Sequence, residues 1–344
     1  MKIALCSSFV PFIYGGARNI VDWLQIMLEE QGHQVEKIYL PEVDVPDLLV
    51  QQMMAYRWID LSMADRVICF RPQAHLISHP HKILWFIHHI RAFYDLWETP
   101  YRGFPDDFKH QGIRDALRCV DTAGLREAKK IFTNSQIVSD RLSTYNKIES
   151  EVLYPPVFQP ERFYCAKFND EIVYICRVEH HKRQHLLIEA MQYVKTPIHL
   201  RLCGVGESRI YIDELIKRIT VLGLENRVFL ENRWISEEEK VEILAHCLAA
   251  AYLPIDEDSY GYPSLEASHA SKPILTTFDS GGVLELVQDG INGYVTAADP
   301  KALAEAMDKL YLDRAKTIMM GERAAKRLVA LNISWQHVLE RLLA

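Results

Sequence analysis

The residues best suited to chemistry lie in one short stretch, Asp256-Glu257-Asp258-Ser259-Tyr260-Gly261-Tyr262-Pro263-Ser264-Leu265-Glu266-Ala267. An apolar strand ends at Pro254, an acidic loop with one glycine follows, and then a helix begins. Such a turn exposes backbone N–H groups at a helix N-terminus, where they can hold hydroxyl or phosphate oxygens. Asp258 and Glu266 bracket it. Carboxylates bind vicinal hydroxyls well, because each oxygen accepts short, charge-assisted hydrogen bonds.

Other candidates also follow strand-like runs. Arg177 and Lys182 stand in Arg177-Val178-Glu179-His180-His181-Lys182. On the residues alone this reads equally well as a solvated basic loop. Gly15 and Gly16 separate the first strand from a helix, where a glycine pair lets backbone approach a phosphate. His88, His89 and Arg91 end the run Leu84-Trp85-Phe86-Ile87-His88-His89-Ile90-Arg91. Neighbours on a strand face opposite sides, so the two histidines cannot share a metal. Arg91 is placed to meet an anionic acceptor. Gly204-Val205-Gly206-Glu207 and Asn232-Arg233-Trp234 each follow a strand as well, and Asn134-Ser135 reads as a helix cap.

Alternating strands and helices must position these residues. Strand-like runs at 2–7, 35–40, 66–70, 82–88 and 130–133 interleave with helical spacing at 19–30, 114–129 and 136–145. The pattern pauses at Tyr154-Pro155-Pro156-Val157-Phe158-Gln159-Pro160, which cannot continue a helix or a central strand. This places a linker near 157–168. A second series follows, with strands at 171–176, 198–203, 228–230, 249–253 and 274–277, and the chain closes on helices around 319–331 and 335–343. Such alternation predicts an α/β protein of two doubly wound, Rossmann-like domains over 1–157 and 169–318, with terminal helices over 319–344. Ligands of such sheets bind at the carboxyl ends of the strands.

Composition narrows the function classes. The net charge of −7, from 39 basic and 46 acidic residues, speaks against a nucleic-acid partner. Seven scattered cysteines without a C-x-x-C pair fit free thiols in a reducing compartment. The N-terminal apolar run is too short for a leader, and no run reaches the length of a membrane span. A cytoplasmic protein is expected.

The ordered set of motifs resembles glycosyltransferase family 4. It comprises acid-x7-acid followed by Ala267, then Lys272-Pro273-Ile274, Ser280-Gly281-Gly282, Glu285, and Asp289-Gly290-Ile291-Asn292-Gly293. The usual motif is E-G-F-G-x-P-x-x-E-A, and a branch begins it with Asp. Here Asp258 replaces the first Glu and Ser259 the Gly. A second family pattern, G-R-L-x-x-x-K-G, matches at Arg177 and Lys182, while Cys176 and Arg183 replace its glycines.

The resemblance implies the GT-B fold, two Rossmann-like domains facing across a cleft, and retaining transfer of a hexose from a nucleotide diphosphate sugar. It implies Glu266 on the ribose, Asp258 near the hexose, and backbone amides over Tyr260, Gly261, Tyr262 and Pro263 holding the sugar. Arg177 and Lys182 would stabilise the departing diphosphate without a metal. His88 would stand beside the transferred sugar, Gly15 and Gly16 near the donor phosphates, and Gly204 and Arg233 near the nucleotide. Ser334-Trp335-Gln336 resembles the start of a last helix that crosses back to the first domain.

The resemblance further implies a mannosyl- or glucosyltransferase that needs no cofactor. Its donor would be a GDP- or UDP-sugar and its acceptor a saccharide or lipid-linked saccharide, in cell-surface polysaccharide synthesis. Peripheral contact with the inner face of the membrane is compatible with that acceptor. Two competing readings are a GT-B nucleotide-sugar epimerase and a non-catalytic sugar-binding protein. Asp256-Glu257-Asp258 also spells the D-x-D of the other main glycosyltransferase fold, which binds a metal–diphosphate but has one domain.

Overall fold

The computed structural model describes all residues except 13–14 and 43–44. The chain divides into two compact units, Met1–Pro155 with Ser334–Ala344, and Pro156–Ile333.

The first unit runs β1 (Lys2–Phe9), α1 (Gly16–Glu30), β2 (Gln34–Pro41), α2 (Leu49–Arg57), β3 (Arg66–Cys69), β4 (Lys82–Phe86), α3 (Phe108–Arg126), β5 (Lys130–Thr133), α4 (Gln136–Asn146) and β6 (Glu151–Val152). All strand pairs are parallel, in the order β2-β1-β3-β4-β5-β6. Helices cover both faces of such a sheet, so its central strands are apolar throughout rather than alternating. Val67, Ile68 and Cys69 of β3 are buried, as are Ile83, Leu84, Trp85 and Phe86 of β4. Lys82 is buried too. Its Nζ donates to the carbonyls of His75 at 2.8 Å and Gly124 at 2.9 Å and meets Glu127 at 3.1 Å. Burial lowers its pKa from the ordinary value.

The second unit runs β7 (Glu171–Ile175), α5 (Gln184–Ala190), β8 (His199–Cys203), α6 (Arg209–Val221), β9 (Val228–Glu231), α7 (Glu237–His246), β10 (Ala249–Ala251), α8 (Tyr262–His269), β11 (Ile274–Thr277), α9 (Val283–Leu286), β12 (Gly293–Thr296), α10 (Pro300–Leu312) and α11 (Arg314–Ala330). Its six parallel strands take the order β12-β11-β10-β7-β8-β9. Two Rossmann-like α/β units are therefore present.

Residues 157–168, expected as a linker, carry no strand and only the 3-10 turn Pro160–Arg162, and they are grouped with the second unit. Helix α11 is grouped there too and packs on α8. Gly321 makes that packing close, since a Cβ there would collide with the Ser271 carbonyl. The terminal helix α12 (Trp335–Leu343) is grouped with the first unit. It buries Val338 and Leu342, accepts from Arg66 at the Leu342 carbonyl, and pairs Arg341 with Glu151. Among the described residues, no helix is long and apolar enough to cross a membrane.

The packing of α11 can be tested at Gly321. Gly321→Ala is expected to destabilise the protein by roughly 1–3 kcal/mol through overpacking. Urea unfolding checks it; an unchanged midpoint would show that the α8–α11 contact is looser than the structure has it.

Candidate active site

Each sheet has one place where the chain changes its direction of winding. In the second unit it lies between β7 and β10: β8 and β9 extend one side, β11 and β12 the other. Loops diverge there at the strands' carboxyl ends and leave a crevice. Lys182 follows β7, and the acidic loop follows β10.

Lys182 closes a single 3-10 turn, His180–Lys182. Its side chain is only 7% exposed and pairs with the Glu257 carboxylate. Nζ also donates to the Tyr252 hydroxyl at 3.0 Å, and that hydroxyl donates to Glu257 at 3.0 Å. Burial raises the Glu257 carboxyl, but Lys182 outweighs it and the net shift is downward. The cation and the acid loop thus meet in a compensated cluster.

Glycines hold the acid loop from the other side. Gly282 N–H donates to the Glu257 carbonyl at 2.8 Å. A Cβ on Gly281 would collide with the backbone of Asp256 and Glu257, and one on Gly282 would fall 2.6 Å from Ser259 Cα. At Gly261, φ is +69° and a Cβ would enter the Tyr252 ring. These glycines of the motif are thus needed for close backbone approach. Asp258 is partly buried within this loop.

Glu266 lies in α8 and is buried. Lys240 Nζ donates to its Oε1 at 2.6 Å and to Glu237 at 2.9 Å. Burial raises the Glu266 carboxyl, and Lys240 only partly offsets it. Burial raises the Tyr262 hydroxyl, and the neighbouring Glu266 adds to it. Tyr260 is buried, so its ring is core. Pro263 cannot supply the amide expected of it: it lacks an N–H and occupies the first turn of α8, where that loss is tolerated.

The loop after β8 is equally constrained. Gly204 has φ +145°, and a Cβ there would collide with the Cys176 carbonyl. Gly206 N–H donates to Asn232 Oδ1 at 2.8 Å. This loop backs the segment carrying Arg177, whose half-exposed side chain pairs with Glu179 at 3.0 Å. Arg233 is bound to Glu231 at 2.5 Å and to Glu239. Its charge is therefore already matched by two carboxylates.

In the first unit the winding changes between β1 and β3. Burial, then the nearby Arg71 charge, lower the His88 pKa to about 4, so the ring is neutral at pH 7. Nδ1 lies 2.6 Å from the His89 carbonyl and Nε2 accepts from Arg71 Nε at 3.3 Å. Arg71 also pairs with Glu42 at 2.6 Å, and the Ser8 hydroxyl lies 3.3 Å from that carboxylate. His89 is buried core, 2.9 Å from Asn146 Oδ1 and packed on Tyr94. Arg91 pairs with Asp95 at 2.6 Å. Gly15 N-caps α1, and Gly16 is its first residue. At Gly15 φ is −149° and a Cβ would meet none of the described residues within 4 Å, so neither its conformation nor crowding from those residues requires glycine there.

Sequence reasoning missed Glu257, Tyr252, Arg183, Lys240, Arg71 and Glu42. The one available signal was Arg183, standing where the pattern has glycine. Among the described residues, no group of three or more His, Cys, Asp or Glu is arranged to hold a metal ion.

Residues 166–327 match the family model for glycosyl transferases group 1. Over that segment, just under half of its length, the chain is similar to the group 1 glycosyltransferases. It is 35% identical over 126 residues to the alpha-1,3/1,6-mannosyltransferase ALG2 of Dictyostelium discoideum, covering 36% of this chain and 29% of that protein. To human ALG2 it is 25% identical over 290 residues, 76% of this chain and 67% of that one. Anabaena HepE, solved in complex with UDP, superposes with a TM-score of 0.72 at 20% identity over 99% of both chains. Sucrose-phosphate synthase from Thermosynechococcus elongatus gives 0.77 at 15% identity, over 98% of this chain and 97% of that one. The fold is GT-B, as the resemblance implied.

The Lys240–Glu266 pair yields a test. Lys240→Met leaves a buried carboxylate uncompensated, with an expected cost of roughly 3–5 kcal/mol at pH 7. Without Lys240 the folded-state pKa of Glu266 rises further above its unfolded value, so stability is lost as pH rises through it. The deficit should therefore shrink as pH is lowered toward that pKa. Urea unfolding of both proteins across pH 5–8 checks it; a deficit independent of pH would mean that the pair is not coupled.

Proposed function

We propose that the protein is a retaining hexosyltransferase of glycosyltransferase family 4. It moves mannose or glucose from a GDP- or UDP-sugar to a saccharide or lipid-linked saccharide acceptor. The observation that carries the reading is the convergence of Lys182, the Asp258 loop and buried Glu266 at the β7/β10 switch point.

In this reading the nucleotide lies against the second unit. Glu266 keeps Oε1 on Lys240 and offers Oε2 to the ribose hydroxyls. Lys182 and Arg177 face the diphosphate, where two cations in a site of low polarity stabilise the charge that grows as the sugar–phosphate bond breaks. Lys182 reaches it by sharing or exchanging its contact with Glu257. Asp258 takes a hexose hydroxyl, with N–H groups at the start of α8 beside it. His88, neutral, would accept from a sugar hydroxyl at Nε2 by exchanging its long contact with Arg71 Nε. As the family 4 resemblance implies, Gly16 would serve the donor phosphates and Arg91 the acceptor.

The mannosyltransferase relatives and the UDP and UDP-glucose complexes of Anabaena HepE support a nucleotide-sugar donor. The resemblance to glycosyltransferase family 4 supports retention without a metal. A cytoplasmic place in cell-surface polysaccharide synthesis, with peripheral contact at the inner membrane face, suits the lipid-linked acceptor.

Screening UDP-, GDP- and ADP-sugars for a rise in melting temperature selects the donor. With that donor, Glu266→Ala is expected to lower turnover by at least about a hundred-fold, an order of magnitude set by loss of a charge-assisted contact in a closed site. Unchanged activity would falsify the ribose role, and a sugar isomerised without an acceptor would mean an epimerase.

Metal dependence is a separate measurement. Turnover in EDTA is expected to match the untreated rate; strong inhibition reversed by Mn²⁺ would revive the D-x-D reading of Asp256 and Asp258.

A further inference from the structure

Arg183 stands where the related pattern has glycine, and its backbone shows why glycine suits the position. Its φ is +57°, in the left-handed region that side chains other than glycine avoid. A non-glycine residue persists there only when its surroundings hold it. Here the side chain does the holding. It is buried, and its guanidinium makes five hydrogen bonds. Nε donates to the Leu253 carbonyl at 2.7 Å, and Nη2 to the Pro254 carbonyl at 2.8 Å. Nη2 also lies 2.7 Å from Thr277 Oγ1 and 2.9 Å from Asp279 Oδ1, so its two protons are shared among three acceptors, while Nη1 donates to Asp279 Oδ2 at 2.8 Å.

Each partner is the root of a functional loop. Leu253 and Pro254 lead from β10 into the acidic loop with Asp258. Thr277 and Asp279 lead from β11 into Ser280-Gly281-Gly282, on which that loop rests. Arg183 itself directly follows Lys182. Backbone bonds run in the same sense: Ile255 N–H donates to the His181 carbonyl at 2.9 Å, and Asp256 N–H to the Asp279 carbonyl at 2.8 Å. One planar, five-donor group therefore spans three strand ends, a geometry that lysine cannot reproduce.

We propose that Arg183 is a positioning residue: it fixes the Lys182 turn, the Asp258 loop and the Gly281-Gly282 loop in the single arrangement that the donor diphosphate and hexose require. The proposal rests on the nucleotide-sugar reading above for its consequence, but not for the clamp itself. Asp279 is its main charged partner, and burial of Asp279 is outweighed by Arg183, which holds that carboxyl below its usual range.

The test compares wild type with Arg183→Gly, Arg183→Lys and Asp279→Asn. Glycine accepts the left-handed backbone, so Arg183→Gly is expected to stay folded with a melting temperature near that of wild type. Deuterium uptake over 253–259 and 277–282 should rise in that variant. Its kcat per folded molecule with the selected donor should fall by about ten- to a hundred-fold, as expected for loss of alignment at a reacting centre. Arg183→Lys should recover only part of the rate, and Asp279→Asn should fall between it and wild type. Unchanged exchange in Arg183→Gly overturns the clamp, and wild-type kcat in the same variant overturns its catalytic consequence. A melting temperature that falls while kcat per folded molecule holds would mean that Arg183 serves stability alone. A wild-type protein that neither binds nor turns over any nucleotide sugar sinks the functional reading instead, and the exchange measurement still decides the clamp.

Discussion

A lysine buried at the end of a parallel strand must be neutralised where it stands, and much of the second unit follows from how Lys182 meets that demand. Leaving an ammonium uncompensated in such a place is costly. Glu257 supplies the opposite charge and Tyr252 joins both groups by hydrogen bonds. Glu257 belongs to the acidic loop, so neutralising Lys182 also draws that loop down onto the end of β7. Tyr252 then stands against Gly261, where only a residue without Cβ fits. The loop's own backbone lies against Gly281 and Gly282 for the same reason. Charge compensation at one side chain thus dictates where three loops run and where glycine is compulsory.

The first unit solves a similar problem in another way. At its own switch point Arg71 is compensated by Glu42, and its Nε is occupied by His88. The arrangement keeps His88 neutral, because protonation would place a second cation beside Arg71 in a buried setting. The neutral ring donates and accepts at once, with Nδ1 on the His89 carbonyl and Nε2 on Arg71 Nε.

Much of this was legible in the sequence, for identifiable reasons. Strands buried on both faces read as apolar runs, so β5 and β11 have the expected bounds and β1, β7 and β8 come within about a residue or two. Helix α2 was not anticipated: its outer face carries Val50 and Met54, which blur the amphipathic pattern. Strand β12 begins at the last residue of a turn-rich run, Asp289-Gly290-Ile291-Asn292-Gly293, is only four residues long, and shows itself by pairing with β11. The stretch from Asp258 to Glu266 stood out by its two acids around a glycine turn and by its resemblance to the family motif. The ion pairs at that stretch did not, because Glu257–Lys182 spans 75 residues and Lys240–Glu266 spans 26, and no local pattern announces such pairs.

Glycines show most sharply what a sequence motif does and does not specify. At Gly15 the backbone is extended and a Cβ would meet none of the described residues within 4 Å, so the fold of those residues does not call for glycine there. Gly204, Gly261 and Gly281 combine positive φ with a blocked Cβ, so at these positions the residue type follows from the fold before any ligand enters. Arg183 is the converse. The related pattern has glycine there, the backbone is left-handed as glycine allows, and the chain nevertheless places a buried guanidinium with five hydrogen-bond contacts at that point. The departure couples a conformational cost to compensating bonds. It marks the point where the architecture of the crevice in this chain is set by a side chain rather than by the freedom of a glycine.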